Sequence, residues 1–80
     1  MTLSDAISNR IQGLCNENNI TINKLGTVCG ITQSTLNNII NGGSKNPTTA
    51  TIKKICDGFD ITLSEFFNTL EFNTLEQEIQ

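Results

Sequence analysis

The stretch from Thr21 to Asn41 constrains the fold of this chain more than any other segment. Its apolar residues recur at helical spacing on both sides of a glycine; they are Leu25, Cys29, Leu36 and Ile39. Gly30 is suited to a positive φ after the first segment, and Thr32 is a natural N-cap for the second. The stretch therefore predicts two short helices joined by a tight turn, with their apolar sides packed inward.

The outer face of the second of these helices is expected to be polar and uncharged. One arc of about 140°, at about 100° per residue, carries Gln33, Ser34, Asn37, Asn38 and Asn41. Exposed helices usually carry Lys and Glu, which form helices more readily than Asn and Ser do. Asn and Gln can bond both a donor and an acceptor on a base edge in the major groove of DNA. The arc therefore indicates either a base-reading surface or the ordinary solvated face of an Asn-rich protein.

The length and apolar content of the chain fit one small helical domain. Its 80 residues, of which 36% are hydrophobic, allow only a modest core. The sequence has no apolar run long enough to cross a membrane and no basic-then-apolar signal at its start. We therefore expect a soluble, cytoplasmic protein with no membrane partner.

Histidine is absent, and the three cysteines lie far apart without a Cys-x-x-Cys pair. These observations argue against zinc ligation and against a cysteine–histidine nucleophile. Cys15, Cys29 and Cys56 each lie beside apolar positions of predicted helices, so we expect buried free thiols. No catalytic residue, metal ligand or cofactor site is predicted, and an enzyme is the function class that the sequence favours least.

The net charge of −3 is distributed unevenly along the chain. Residues 1–64 hold five basic and four acidic residues, whereas residues 65–80 hold four glutamates and no base. The net negative charge therefore comes from residues 65–80 and not from residues 1–64, the body of the chain. It does not exclude a nucleic-acid partner for the body.

Serine and threonine side chains mark the starts of five predicted helices. The predicted N-caps are Ser4, Thr21, Thr32, Thr48 and Thr62, the last in a Thr-x-x-Glu capping box with Glu65. Gly42, Gly43 and Pro47 separate the third helix from the fourth. No segment alternates as a strand would, so the sequence predicts an all-α domain over residues 1–70 and a short acidic tail over residues 71–80.

Three segments carry a family resemblance in order and spacing: 21–42, 46–48 and 59–63. They resemble the elements S-Q-x-x-L-A-x-x-x-G-[IV]-[ST], I-x-N-G, N-P-[ST] and L-G-[IV]-[ST]-[LV] of the Cro/C1-type (XRE) helix-turn-helix DNA-binding domain. The resemblance covers about residues 7–67. It implies a five-helix, lambda-repressor-like fold with the helix-turn-helix at helices 2 and 3. It also implies a homodimeric, sequence-specific transcriptional repressor that binds a near-palindromic operator in double-stranded DNA.

The resemblance also implies roles for individual residues of the motif. The base-contacting positions match Gln33, Ser34 and Asn38, with Asn37 beside them. The positions that contact phosphates match Thr21, Thr32, Asn41 and Lys45. For each residue the alternative is a solvated side chain, and for the two threonines it is a helix cap.

Three departures from the family pattern bear on stability and on DNA contact. Ile22 stands where the family often has a phosphate-contacting Gln, and Gly26 replaces the usual Ala. Cys15 and Ile40 stand where many members pair an Arg with a Glu. Because both charged partners are missing together, we predict that these two residues are buried near each other between helices 1 and 3.

A protein-interaction module on the same fold is the alternative function. It would be an antitoxin, or a regulator carried by a phage or mobile element, whose acidic end binds a protein partner. The low basic charge and the glutamate-rich end favour this alternative, whereas the amide face favours DNA. A gel-shift assay with the DNA that flanks the gene would separate the two.

Overall fold

The computed structural model describes residues 1–41 and 47–79, which form six helices and no strand. In chain order the helices are α1 (Leu3–Glu17), α2 (Ile22–Cys29), α3 (Gln33–Ile40), α4 (Thr49–Phe59), α5 (Leu63–Phe67) and α6 (Leu70–Asn73). The prediction of an all-α fold is confirmed. The sixth helix was not predicted; it lies where the sequence indicates the start of an acidic tail.

A threonine hydroxyl accepts a backbone N–H bond at the start of each of the first five helices. The caps are Thr2, Thr21, Thr32, Thr48 and Thr62, so four of the five predicted caps are confirmed. Ser4 is not the first cap. Thr2 takes that place because it forms a reciprocal capping box with Asp5, which satisfies two free amides where Ser4 would satisfy one. The bond from the Thr2 amide also lowers the pKa of the Asp5 carboxyl.

The core lies between α1 and the helices that follow it. Its fully buried side chains come from five helices and include Ile11, Leu25, Leu36, Ile55 and Phe66. All three thiols are free, as predicted, and Cys15 and Cys56 are buried. Cys29 was also predicted to be buried but is only half-buried. Burial raises the pKa of each of these thiols.

Two polar side chains of α1 tie distant parts of the chain together. The Ser8 hydroxyl donates to the carbonyl oxygen of Ile40, at the end of α3, over 2.7 Å. The Arg10 guanidinium donates to the carbonyl oxygens of Phe66 (2.8 Å) and Glu65 (3.0 Å) in the last turn of α5. These bonds hold the end of α3 and the last turn of α5 to α1.

The predicted pairing of Cys15 with Ile40 is only partly reproduced. Cys15 is buried at 3% exposure, but Ile40 is half-buried and packs at the border of the core. The reason is that α3 ends at Ile40, so this residue lies at the edge of the contact between α1 and α3. A charge placed there would be less fully desolvated than the sequence suggests.

An aromatic cluster joins α5 to α6. The ring centroids of Phe66 and Phe67 lie 4.9 Å apart, as do those of Phe67 and Phe72, with an edge-to-face geometry in both pairs. Phe72 packs against the hydrophobic core and so attaches α6 to the other helices. The helix α6 also packs against α1. None of the described helices is both long enough and apolar enough to span a bilayer.

Candidate nucleic-acid interface

The segment between α2 and α3 has the predicted tight turn. Gly30 adopts the left-handed conformation at φ 70°, ψ 33°. The next amide, that of Ile31, donates to the carbonyl oxygen of Gly26 over 3.0 Å, which closes the end of α2. Thr32 then starts α3 by accepting the Thr35 amide. Because the turn is this short, α3 must cross α2 closely and present its far side outward.

The inner side of α3 is anchored to the rest of the protein. Leu36 is fully buried and Ile39 is 6% exposed, and Ser8 holds the Ile40 carbonyl at the end of the helix. The predicted inward face is therefore confirmed. An anchored inner face gives the outer face of α3 a fixed orientation, which a surface that reads another molecule requires.

Four of the five polar residues predicted on the outer arc are exposed. They are Ser34, Asn37, Asn38 and Asn41. They lie on one side of α3 and carry no charge, so their amides and hydroxyls are open to donors and acceptors of a second molecule. Asn41 also ends the helix, and its backbone N–H donates to the carbonyl oxygen of Asn37 over 2.8 Å.

Gln33 behaves differently from the rest of the arc. Its side chain is half-buried and turned toward α2, where Nε2 donates to the carbonyl oxygen of Asn23 over 3.1 Å. Its other amide atom, Oε1, is buried without a hydrogen-bond partner among the described residues. A Cβ atom at Gly26 would overlap the Gln33 amide nitrogen, so the glycine provides the space that this side chain occupies.

The residues predicted to contact phosphates fall in different settings. The hydroxyls of Thr21 and Thr32 act as caps, accepting the amides of Lys24 (3.0 Å) and Thr35 (3.2 Å). The Thr32 hydroxyl also donates to Thr35 Oγ1 over 2.9 Å, a pairing that the sequence reasoning missed. The predicted contact of Lys45 lies outside the described residues, as do the helix stop at Gly42–Gly43 and the family position Asn46.

Two of the four lysine and arginine side chains in the described part of the chain are engaged in contacts within the protein. Arg10 is engaged with α5, and Lys53 forms an exposed ion pair with Asp57 on α4. The hydrogen bond and charge of that carboxylate raise the pKa of Lys53. Lys24 and Lys54 are exposed. Within the described part of the chain, no group of three His, Cys, Asp or Glu side chains is placed to hold a metal ion.

One residue in the sequence, Gly26, could have indicated where the Gln33 side chain lies. Gly26 is a helix-weakening residue at a close crossing, and the residue that follows the N-cap of α3 lies directly across from it. The sequence gives the separation of Gly26 and Gln33 along the chain. It does not give the direction of the Gln33 side chain, because the same residue also fits the outer arc.

Comparisons with known proteins support the helix-turn-helix formed by α2 and α3 and the fold as a whole. The helix-turn-helix family model matches residues 11–66 of the chain. The crystal structure of the prophage Lp1 protein 11 is similar to this structure, with a TM-score of 0.84 and 35% sequence identity. The similarity covers 94% of this chain and 99% of that one. No curated protein matches the sequence.

Proposed function

The chain belongs to the Cro/C1-type (XRE) helix-turn-helix family of DNA-binding regulators, and from this premise we propose that it is a sequence-specific transcriptional repressor. It would act as a homodimer, with each copy placing α3 in the major groove of one half of a near-palindromic operator. The uncharged polar face of α3 is the observation that carries this proposal. It is exposed, while the opposite face is anchored by the core and by Ser8.

We assign base contacts to the outer arc of α3. Ser34, Asn37 and Asn38 are exposed and available to base edges without rearrangement. Gln33 would join them once its side chain leaves the Asn23 carbonyl. The proposed phosphate contacts come from Thr21, Thr32, Asn41 and Lys45. Capping does not exclude such a contact for Thr21, because a hydroxyl that accepts a bond can still donate its own proton.

Binding and discrimination can be tested together on one residue of the arc. Duplexes selected by the wild-type protein from a randomised library would serve as the specific site. Asn38→Ala should weaken binding to that site by about 1–3 kcal/mol and change binding to unrelated duplexes little. Asn73→Ala, which removes an exposed asparagine of α6, is the matched control and should leave both affinities unchanged. If wild type and Asn38→Ala discriminate equally between the selected site and unrelated duplexes, α3 does not read the DNA sequence.

A protein-interaction role is the second candidate, and the carboxyl-terminal end supports it. Leu70 is 76% exposed and Ile79 is 83% exposed, and both lie among glutamates. Such a surface suits a basic, partly apolar partner. The matched structure is that of a prophage protein, which is consistent with a regulator carried by a phage or mobile element. If the wild-type protein selected no sequence from the library, this candidate would take precedence.

A further inference from the structure

The first residue of α3 faces the protein and not the surface proposed to meet DNA. The Gln33 amide nitrogen donates to the carbonyl oxygen of Asn23 on α2, over 3.1 Å. The residue that follows it, Ser34, is exposed. Of the four proposed base contacts, Gln33 alone would therefore have to change its rotamer before it could reach a base.

The docked position of Gln33 depends on the missing side chain at Gly26. An added Cβ would overlap the Gln33 amide nitrogen and would lie 3.5 Å from its Cδ. It would also lie 3.0 Å from the carbonyl oxygen of Ile31, which is closer than an ordinary van der Waals contact, so the turn would have to move by a few tenths of an ångström. Gly26 is itself buried, so the Gln33 amide fills a notch between α2 and α3. We call this space the Gly26 notch.

The docked amide is only half satisfied. Its oxygen, Oε1, is buried and has no hydrogen-bond partner in the described part of the chain. A buried acceptor without a donor is unfavourable, so the docked state is stabilised by less than its single hydrogen bond suggests. A base edge offers a Gln side chain both a donor and an acceptor, which would satisfy both amide atoms.

When the Gln33 side chain leaves the Gly26 notch, the carbonyl oxygen that it contacted does not lose its last hydrogen-bond partner. The Asn23 carbonyl oxygen also accepts the Thr27 hydroxyl, over 3.3 Å, and it keeps that partner when Gln33 departs. The body of α3 need not move either, since Leu36 and Ser8 hold it independently of Gln33. The change is therefore confined to one side chain.

We infer that Gly26 is a specificity-determining residue: its notch keeps Gln33 docked on α2 in the free protein, and operator binding draws Gln33 out to read a base. This inference rests on the proposed DNA-binding function. The affinity of the operator is lowered by the fraction of molecules in which Gln33 is docked, because only the undocked molecules make the full set of contacts. Closing the notch would remove that penalty.

A mutant cycle on selected duplexes tests the coupling. Gly26→Ala should tighten binding to duplexes selected by the wild-type protein by about three- to tenfold, as expected if Gln33 is mostly docked. The same substitution in a Gln33→Ala background should give no gain. Gly13→Ala is the matched control. It also replaces a helical glycine, but the added Cβ meets no atom within 4 Å, so it should leave the affinity unchanged.

The docking itself can be observed without a variant. In the free wild-type protein, NMR should show nuclear Overhauser contacts between the Gln33 side-chain amide and the Gly26 α-protons. These contacts should disappear when the selected duplex is added. Contacts that persist in the DNA complex would overturn the inference, even if Gly26→Ala failed to fold.

The binding results separate this inference from the function on which it rests. Specific binding with the same effect of Gly26→Ala in both backgrounds would refute the role of the notch and leave the proposed function intact. A wild-type protein that selects no sequence would refute the proposed function and this inference together.

Discussion

Removing the Arg10 side chain should destabilise the protein more than any other change to a charged residue that the structure describes. α5 has only five residues, too few to form a stable helix alone, and its last carbonyls need donors. Arg10 supplies two charged donors, at 2.8 Å to Phe66 and 3.0 Å to Glu65. Its guanidinium also lies 5.9 Å from the centroid of the Phe66 ring, the largest fully buried side chain.

The expected cost follows from these contacts. A hydrogen bond to a charged group contributes about 1.5–3 kcal/mol, and a cation–π contact at an exposed site about 0.5–1 kcal/mol. The bond to Glu65 is exposed and is therefore discounted. Arg10→Ala should then lower the free energy of unfolding by about 2–4 kcal/mol, which for a domain of this size lowers the Tm by roughly 10–30 °C.

Circular dichroism melts and urea titrations would measure this effect. Arg10→Lys keeps the charge but loses the two-pronged geometry, so we expect an intermediate loss of stability. Lys54→Ala removes an exposed cation of α4 and should change the free energy of unfolding by less than about 0.5 kcal/mol. An Arg10→Ala protein that melts within 2–3 °C (roughly 0.5 kcal/mol) of wild type would show that α5 does not depend on this contact.

Three further predictions concern stability and DNA affinity. Ile40→Glu places a carboxylate at the end of α3, half-buried, and should cost about 1–3 kcal/mol in urea titrations; no change would mean that this position is effectively exposed. Lys45→Ala should weaken specific and non-specific binding alike and flatten the log–log salt slope by about 2 for a dimer; a loss confined to the selected site would assign this residue to a base. Because burial raises the pKa of the three thiols, unfolding releases their protons at alkaline pH. The free energy of unfolding should therefore fall as the pH rises from about 8 to 10, and constant urea midpoints over that range would contradict this.

The sequence predicted the elements that depend on local chemistry. The caps at Thr21, Thr32, Thr48 and Thr62 bond to amides three residues away, so the residue pattern alone identifies them. The turn at Gly30 was predictable for the same reason, since its φ of 70° is one that glycine adopts without strain.

The contacts that span the chain were not predictable from the sequence. Arg10 and Phe66 lie 56 positions apart, and Ser8 and Ile40 lie 32 apart, so nothing in the local pattern connects them. Arg10 counts toward the basic charge of the body, yet its guanidinium binds backbone carbonyls of α5. The helix α6 was missed because its packing depends on Phe72 meeting Phe67 across a bend in the chain.

The position of Gln33 shows why an arc of polar residues in a helix does not by itself identify which side chains form a binding surface. Helical periodicity gives the direction of the Cα–Cβ bond, but a side chain as long as glutamine can still turn back toward the neighbouring helix. Here the missing side chain at Gly26 makes that return favourable, while the shorter side chains of Ser34 and Asn38 remain exposed.

The cations in the described part of the chain and the fixed orientation of α3 together bear on where the proposed specificity would come from. Because Arg10 binds backbone carbonyls and Lys53 pairs with Asp57 on the surface, we expect counterion release to contribute only modestly to the proposed DNA affinity of each copy. In the proposed complex, discrimination would depend on a small number of amide contacts, and each would carry a large share of it. A notch that withholds one of these proposed contacts from the free protein would therefore have a disproportionate effect on operator choice. Because Leu36 and Ser8 hold α3 independently of the notch, we expect a change at Gly26 to act on operator choice through Gln33 and not through the anchoring of α3.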